Sequence, residues 1–270
     1  MRHLAFLVAA LAAAPAVAGP LDAYTADATC IVEANSVVHL SSPTQGTLAS
    51  VDVVRGQAVK AGDVVARLES SVEQATYDEA AQKAASDVVV RAKEADRDNA
   101  YRKLARIRTL AETKIASVDQ LQDAETTAVI ADAAVEQAKF DQQVAAVEAK
   151  RLKAIVDQRE IRSPVAGVVA KVGLHGGEFA DPTVPIVVIS ENQPLRAEVY
   201  LPSGAYPLVA VGLGAEVTLA GAVDGTFPAA VTSKDAEIDP ASGTFQTVLK
   251  LDNADGAIPS GLRCSVKFAS

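Results

Sequence analysis

The chain has 270 residues, with 25 Lys and Arg against 34 Asp and Glu for a net charge of −9; it has no tryptophan, and only 4% of it is aromatic. An acidic balance of this kind excludes a nucleic-acid surface, which needs clustered Lys and Arg to meet phosphate. So thin an aromatic content, in a chain rich in alanine, favours long helices with narrow seams over one thick core.

Residues 1–18 set a basic start (Arg2, His3) before an apolar run from Leu4 and a small-residue site at Ala16-Val17-Ala18, the pattern of a secretory signal. The run is shorter than the roughly 20 apolar residues that a membrane-spanning helix needs. No later stretch is long and uncharged enough, so the mature chain is expected to be soluble. Asp27 and Thr29 stand before Cys30 where a lipidation signal would carry apolar and small residues. Cys30 and Cys264 are the only cysteines. In an exported protein such a pair is either a disulfide or two buried, unpaired thiols, and spacing alone does not choose between them. If bonded, the loop-entropy model gives a contribution on the order of 5 kcal/mol.

The stretch SPTQGTLASVDVVRGQAVKAGDVVARLE (42–69) aligns with SPVAGVVAKVGLHGGEFADPTVPIVVIS (163–190), placing Pro43 on Pro164, Gly46 on Gly167, Val51 on Val172 and Gly56 on Gly177. Each copy has short β-branched runs punctuated by Gly or Pro, the pattern of small strands joined by tight turns. Neither copy can bury a core alone, whereas two facing each other make a pseudo-twofold sandwich.

Between the copies, residues 63–163 contain no glycine and proline returns only at Pro164. The run is helix-permissive throughout. Leu121, Ala124, Ala128, Ala131, Val135, Ala138, Gln142, Ala145, Ala149, Leu152 and Val156 recur in steps of three and four, a coiled-coil seam. A less regular seam is expected through Ala81, Ala84, Val88, Ala92 and Ala95, with a phase slip before Leu104, Ile107 and Ala111. Glu79–Lys83, Asp87–Arg91 and Asp98–Arg102 are acid-then-base pairs one turn apart. Capping boxes at Ser71–Gln74 and Ser117–Gln120 predict helix starts near 71 and 117 and a turn near Lys114-Ile115-Ala116. The two arms, about 43 residues each, then project roughly 65 Å. After Glu191 alternating strands such as 197–201 and 215–219 lie between Gly, Pro and Asn-Asp clusters, which predicts a small antiparallel barrel or sandwich.

Split SP-x-x-G halves, a hairpin insertion, and a tail containing AEVYLP, VTLAG, DGTFPAAV, DPASGTFQTVLKLDN and PSGLRCSVKF together resemble the periplasmic adaptor, or membrane fusion, family of bacterial export pumps. The resemblance covers nearly all of residues 30–270. It implies an elongated α+β fold: a long antiparallel α-helical coiled-coil hairpin inserted in a split lipoyl-like β-sandwich, followed by a small antiparallel β-barrel. The corresponding division is a signal peptide at 1–18, an N-terminal segment pairing with the barrel at 19–36, lipoyl-like halves at 37–69 and 161–190, the hairpin at 70–160 and the barrel at 191–270. It further implies a periplasmic chain, held at the envelope by its partners. Those partners are an inner-membrane efflux transporter, first of the resistance-nodulation-division type, and a TolC-like outer-membrane channel, with homo-oligomers that are often hexamers. An ABC-type exporter partner and a coiled-coil scaffold without a transport role are the alternatives.

Family members that dock end-on to TolC-like ducts carry Arg, Leu and Ser around the hairpin tip, and RIRTLAETKIAS supplies Arg106, Leu110 and Ser117 at that spacing. Leu110 as a seam residue, Arg106 as a solvated charge and Ser117 as a cap is the competing account. Many members continue into a membrane-proximal domain, which this chain, ending at Ser270, is expected to lack. No cofactor is expected: a lipoyl or biotinyl carrier needs an exposed Lys between its halves, and none occurs between Lys60 and Lys83. His39, His175 and the two distant cysteines offer no metal-ligand spacing. His175 reads as a turn residue, and no catalytic constellation is present.

Overall fold

The computed structural model describes residues 21–25 and 28–269; the signal segment expected over residues 1–18 lies outside the described residues. A short helix α1 (Asp22–Thr25) leads into β1 (Thr29–Ser41), followed by β2 (Gly46–Val51), β3 (Ala58–Val59) and β4 (Val64–Leu68). Three helices come next: α2 (Ser71–Ala85), α3 (Val88–Glu112) and α4 (Val118–Asp157). The chain returns through β5 (Glu160–Arg162), β6 (Gly167–Val172), β7 (Phe179–Ala180) and β8 (Pro185–Pro202). A 3-10 helix at Ser203–Leu208 precedes β9 (Gly214–Leu219), β10 (Gly225–Lys234), β11 (Thr244–Leu251) and β12 (Leu262–Phe268). No helix among the described residues is long and apolar enough to cross a membrane.

The two repeats close on each other by exchanging strands. One sheet runs β5-β4-β2-β7, and the other carries β1, β8, β6 and β3 in that order. Exchanging the repeats maps β2 on β6, β3 on β7, β4 on the start of β8 and the end of β1 on β5, so each sheet is the image of the other. The hydrogen bonds obey the same symmetry. Gly56 N–H donates to Val169 O (2.8 Å) and Gly177 N–H to Leu48 O (2.7 Å). Val169 N–H donates to Gln57 O (2.9 Å) and Leu48 N–H to Glu178 O (2.8 Å). The paired SP phrases serve one purpose: the buried Ser42 hydroxyl donates to Thr44 O and the buried Ser163 hydroxyl to Val165 O. Both serines fold the chain back at the mouth of a strand. Between the sheets lie Leu48, Val65, Leu68, Ile161, Val169, Ile186 and Ile189, all buried. Each such side chain removed from water contributes about 2 kcal/mol.

β1 and β8 do not end with the sandwich. Their pairing extends from Ser41↔Pro185 to Thr29↔Tyr200, with a shift between Ala34 and Ser36. The sequence-based boundaries at 36 and 190 therefore fall inside continuous strands. Beyond the shift both strands enter a closed six-stranded barrel ordered β1-β12-β9-β10-β11-β8, with β8 pairing back to β1. Val32, Leu195, Val199, Leu201, Val217, Phe245 and Leu249 fill it. The β1–β12 seam holds only three register pairs, Cys30↔Cys264, Ile31↔Arg263 and Val32↔Leu262. Cys30 and Cys264 are disulfide-bonded, with Cα atoms 4.9 Å apart. The bond thus staples the shortest long-range seam of the barrel.

α4 packs against both α2 and α3, so the insertion is an antiparallel helical hairpin. All eleven α4 positions named by the three-four pattern are buried or half-buried. The first arm departs from expectation. It is two helices, broken at Ser86 and Asp87, where Ser86 turns extended (φ −78°, ψ 121°). The break shifts the helical phase. Ala81 and Ala84 lie on the seam, but Val88, Ala92 and Ala95 are exposed, and contact resumes through Val90, Lys93, Arg97, Ala100, Leu104, Ile107 and Ala111. Gln142 of α4 spans the gap, its side-chain N–H groups donating to Ala84 O (3.4 Å) and Ser86 O (3.2 Å). Of the three acid–base pairs, Asp87–Arg91 forms (3.1 Å), whereas Asp98 takes its neighbour Arg97 instead (2.8 Å). Such exposed pairs contribute little.

The start of α2 also differs in chemistry. Ser70, not Ser71, is its cap residue and makes no side-chain cap bond. Ser71 N–H donates to the Glu69 carboxylate (3.0 Å), so the Ser71–Gln74 capping box does not form. At the other foot, Arg159 ties hairpin to sandwich. One guanidinium nitrogen pairs with Glu73 of α2, another donates to Gln45 O (3.2 Å), and Arg159 O accepts from Leu68 N–H (2.8 Å).

The repeat symmetry predicts unequal tolerance at the matched glycines. A Cβ on Gly167 would sit 2.4 Å from Ser190 O, which is backbone, whereas one on Gly46 would meet side chains, the end of Arg159 at 3.1 Å and Leu68 at 3.7 Å, that can shift by a few tenths of an ångström. Gly167→Ala is expected to cost about 2–3 kcal/mol in denaturant unfolding, and Gly46→Ala less than about 1 kcal/mol; equal losses would contradict the strand-exchanged packing.

Candidate docking site at the hairpin tip

The tip is a tight helix–helix turn made without glycine. α3 ends at Glu112, and Lys114 takes up a left-handed conformation (φ 62°). Ile115 N–H donates to Leu110 O (2.8 Å) and Lys114 N–H to Ala111 O (2.9 Å). These are the two bonds of a Schellman stop, which satisfies the last carbonyls of a helix. α4 then starts with a complete capping box. Gln120 N–H donates to Ser117 Oγ (3.2 Å) and Ser117 N–H to Gln120 Oε1 (3.0 Å). Several of the free donors and acceptors of both helix ends are thereby satisfied inside the turn.

Behind the turn the arms are pinned together. Leu104, Ala124 and Ala128 form a small buried cluster with Ile107 and Leu121 against it. Arg108 pairs with Glu125 (3.2 Å), and the Tyr101 hydroxyl donates to Asp132 (2.5 Å). That hydrogen bond to a carboxylate holds the Tyr101 phenol above its ordinary range.

Arg106 and Leu110 stand one turn apart on α3 and so share a face. Both are exposed, Leu110 to 39%. Leu110 is not a seam residue; its neighbours Ile107 and Ala111 occupy the seam. Ser117 lies across the turn, exposed, with its oxygen engaged as a cap while its O–H remains able to donate. No bond joins these three residues to one another. Sequence reasoning missed two companions: Ile115 at 74% exposure and Val118 at 77%. Two large apolar residues beside a predicted cap, where a solvated turn would carry polar ones, were the available signal. Together Leu110, Ile115 and Val118 make an apolar crown edged by Arg106 and Lys114.

No protein-family model matches the chain. Among curated relatives, it is 28% identical to the multidrug resistance protein MdtA of Klebsiella pneumoniae over 84% of this chain and 54% of the relative. The chain spans about half the length of the curated relatives it matches. Among solved structures, MacA from Actinobacillus actinomycetemcomitans superposes with a TM-score of 0.73 at 21% identity, over 90% of this chain and 78% of that one. A membrane fusion protein from Streptococcus pneumoniae gives a TM-score of 0.60 at 18% identity, over 90% and 97%.

The turn generates a direct test. A non-glycine residue held left-handed costs about 1 kcal/mol or more. Lys114→Gly should therefore slow amide exchange at Ile115 and Ala116 by several-fold, and Lys114→Val should speed it; the reverse order would refute the Schellman geometry. In sequence the chain is similar to proteins named MdtA, and in fold it is similar to solved membrane fusion proteins.

Proposed function

We propose that this chain is the periplasmic adaptor of a tripartite efflux pump. Its sandwich, of the lipoyl-like kind, and its barrel form a collar facing an inner-membrane transporter, and its coiled-coil hairpin reaches a TolC-like outer-membrane duct. The observation that carries this reading is a rigidly turned hairpin whose far end presents Leu110, Ile115 and Val118 beside Arg106, while its feet are tied to the sandwich through Arg159. Relatives bearing the name multidrug resistance protein support export as the process served. A transporter of the resistance-nodulation-division type is the first choice, on the signal segment expected at residues 1–18 and the sequence of the barrel, with an ABC-type exporter second.

Ring assembly has support in a second face of α4. Besides its seam, α4 carries a second three-four stripe of exposed residues: Ile130, Ala133, Gln137, Phe140, Val144 and Val147. A helix with two apolar stripes has one partner too few in a lone hairpin. Neighbouring hairpins, hexameric as in the family, give the second stripe its partner. In this account the chain spans and seals, the transporter supplies the energy, and substrate passes through the ring.

Photo-crosslinkers placed at Arg106, Ile115 or Ser117 in cells expressing the cognate transporter are expected to capture an outer-membrane channel. Probes at Phe140 or Val144 should instead capture a second copy of this chain. Tip probes that capture no envelope protein, with the transporter present, would favour a scaffold without a transport role.

A further inference from the structure

The groove between the twin turns of the sandwich carries a charge pattern that the fold does not require. Val51 and Val172, which correspond across the repeat, line it with Val53, and the turns at 54–57 and 175–178 form its walls; its volume is about 440 Å³. Small-molecule sites are typically of ~300–1,000 Å³. Arg55, Lys171 and His175 rim it. Neither Arg55 nor Lys171 has an ion-pair partner among the described residues. Of the nearby acids, Asp52 pairs with Arg67, and Glu178 stays on the groove wall, accepting the His175 backbone N–H at 2.7 Å with its Oε2 3.8 Å from His175 Nδ1; Arg55 and Lys171 outnumber that one carboxylate.

The internal repeat acts as a control on these three residues. Arg55 corresponds to Gly176, Lys171 to Ser50 and His175 to Val54. Both turns are built alike: Val54 N–H donates to Gln57 Oε1 (3.0 Å) just as His175 N–H donates to Glu178 Oε2. The same backbone therefore forms with glycine, serine or valine at these places, and no cation is needed to make it. On a chain of net charge −9, two unpaired cations and an imidazole over a valine floor set a local potential opposite to that of the whole.

We propose that this groove binds a small anionic amphiphile, a carboxylate on a short apolar body. Arg55 and Lys171 hold the carboxylate, His175 hydrogen-bonds to it, and the valines take the apolar part. The twin turns are fixed by backbone bonds before any ligand arrives, so little ordering is lost on binding. The site does not depend on the adaptor reading, and its failure would leave that reading untouched.

The test is a titration of the full ¹⁵N-labelled chain with octanoate. Octyl glucoside (the same tail without charge) and inorganic phosphate (charge without a tail) are the comparisons. Octanoate is expected to give saturable shifts confined to the amides around Val51, Val54, Val172 and His175, with both comparisons weaker by about ten-fold or more. The triple variant Arg55→Gly, Lys171→Ser, His175→Val carries residues the opposite repeat already folds with. Its unfolding midpoint should match the parent's while its octanoate affinity falls by about ten-fold or more. Lys171→Ser alone, which leaves both turns intact, should lower affinity by at least about three-fold, so the proposal stays testable if the triple variant unfolds. Shifts that never saturate, equal binding of either comparison ligand, or unchanged affinity in Lys171→Ser overturns it.

Discussion

Neither sheet of the sandwich belongs to one repeat. β2 takes β7 from the other half and β6 takes β3, while β4 pairs with β5 and β8 with β1. Each half alone would leave its strand edges and its apolar face unpaired, and a three-strand piece of this size cannot offset its own ordering entropy. Closure therefore requires residues from before and after the insertion to meet. The residues between them, 70–160, can leave and return only as a hairpin whose two feet stand side by side. The repeated SP phrase, the matched left-handed glycines Gly56 (φ 85°) and Gly177 (φ 90°), and the clamp at Arg159 all fit that requirement. So does the continuity of β1 and β8 into the barrel, since the two strands that finish the sandwich are already paired where the barrel begins.

The hairpin itself is built lightly. Its seam on α4 is mostly alanine, which permits close approach but removes little apolar area per residue. In α3 the seam contains Lys93 and Arg97. The Ser86–Asp87 break further interrupts the first arm, and the Gln142 amide bridges two of the carbonyls it frees, Ala84 O and Ser86 O. Stability is thus concentrated at the two ends: the foot, with Arg159 and Glu73, and the tip, with Leu104, the Schellman stop and the capping box. A rod secured at its ends and thin in the middle suits a part whose sides are completed by neighbours.

Much of this was legible in the chain because symmetry and periodicity leave direct marks. The duplicated Gly and Pro positions announced the paired halves, and the eleven-residue pattern on α4 located its buried face. Ser117–Gln120 located the turn. The departures have separate physical causes. The first arm's apolar spacing through Val88, Ala92 and Ala95 is real, but it lies on the exposed side, because two non-helical residues rotate the phase and the true seam there runs through charged side chains. The Ser71 box failed because Glu69 competes for the same N–H. Long-range features such as Arg159 reaching Gln45, or Gln142 reaching Ser86, have no local signature. At the tip, the spacing of Arg106, Leu110 and Ser117 was visible, but the exposure of Ile115 and Val118 emerged only with the turn.

The most direct measurement removes the rod. Leu68 N–H and Arg159 O are already bonded at 2.8 Å, so a four-residue turn can replace residues 70–158 and join β4 to β5. If the strand-exchanged halves hold the feet, the shortened chain should fold, retain the Cys30–Cys264 bond, and unfold within about 3 °C of the β-body transition of the full chain. A shortened chain that is unfolded, or one that loses protection at the β3–β6 and β2–β7 pairs, would show that the rod holds the halves together and would contradict the account.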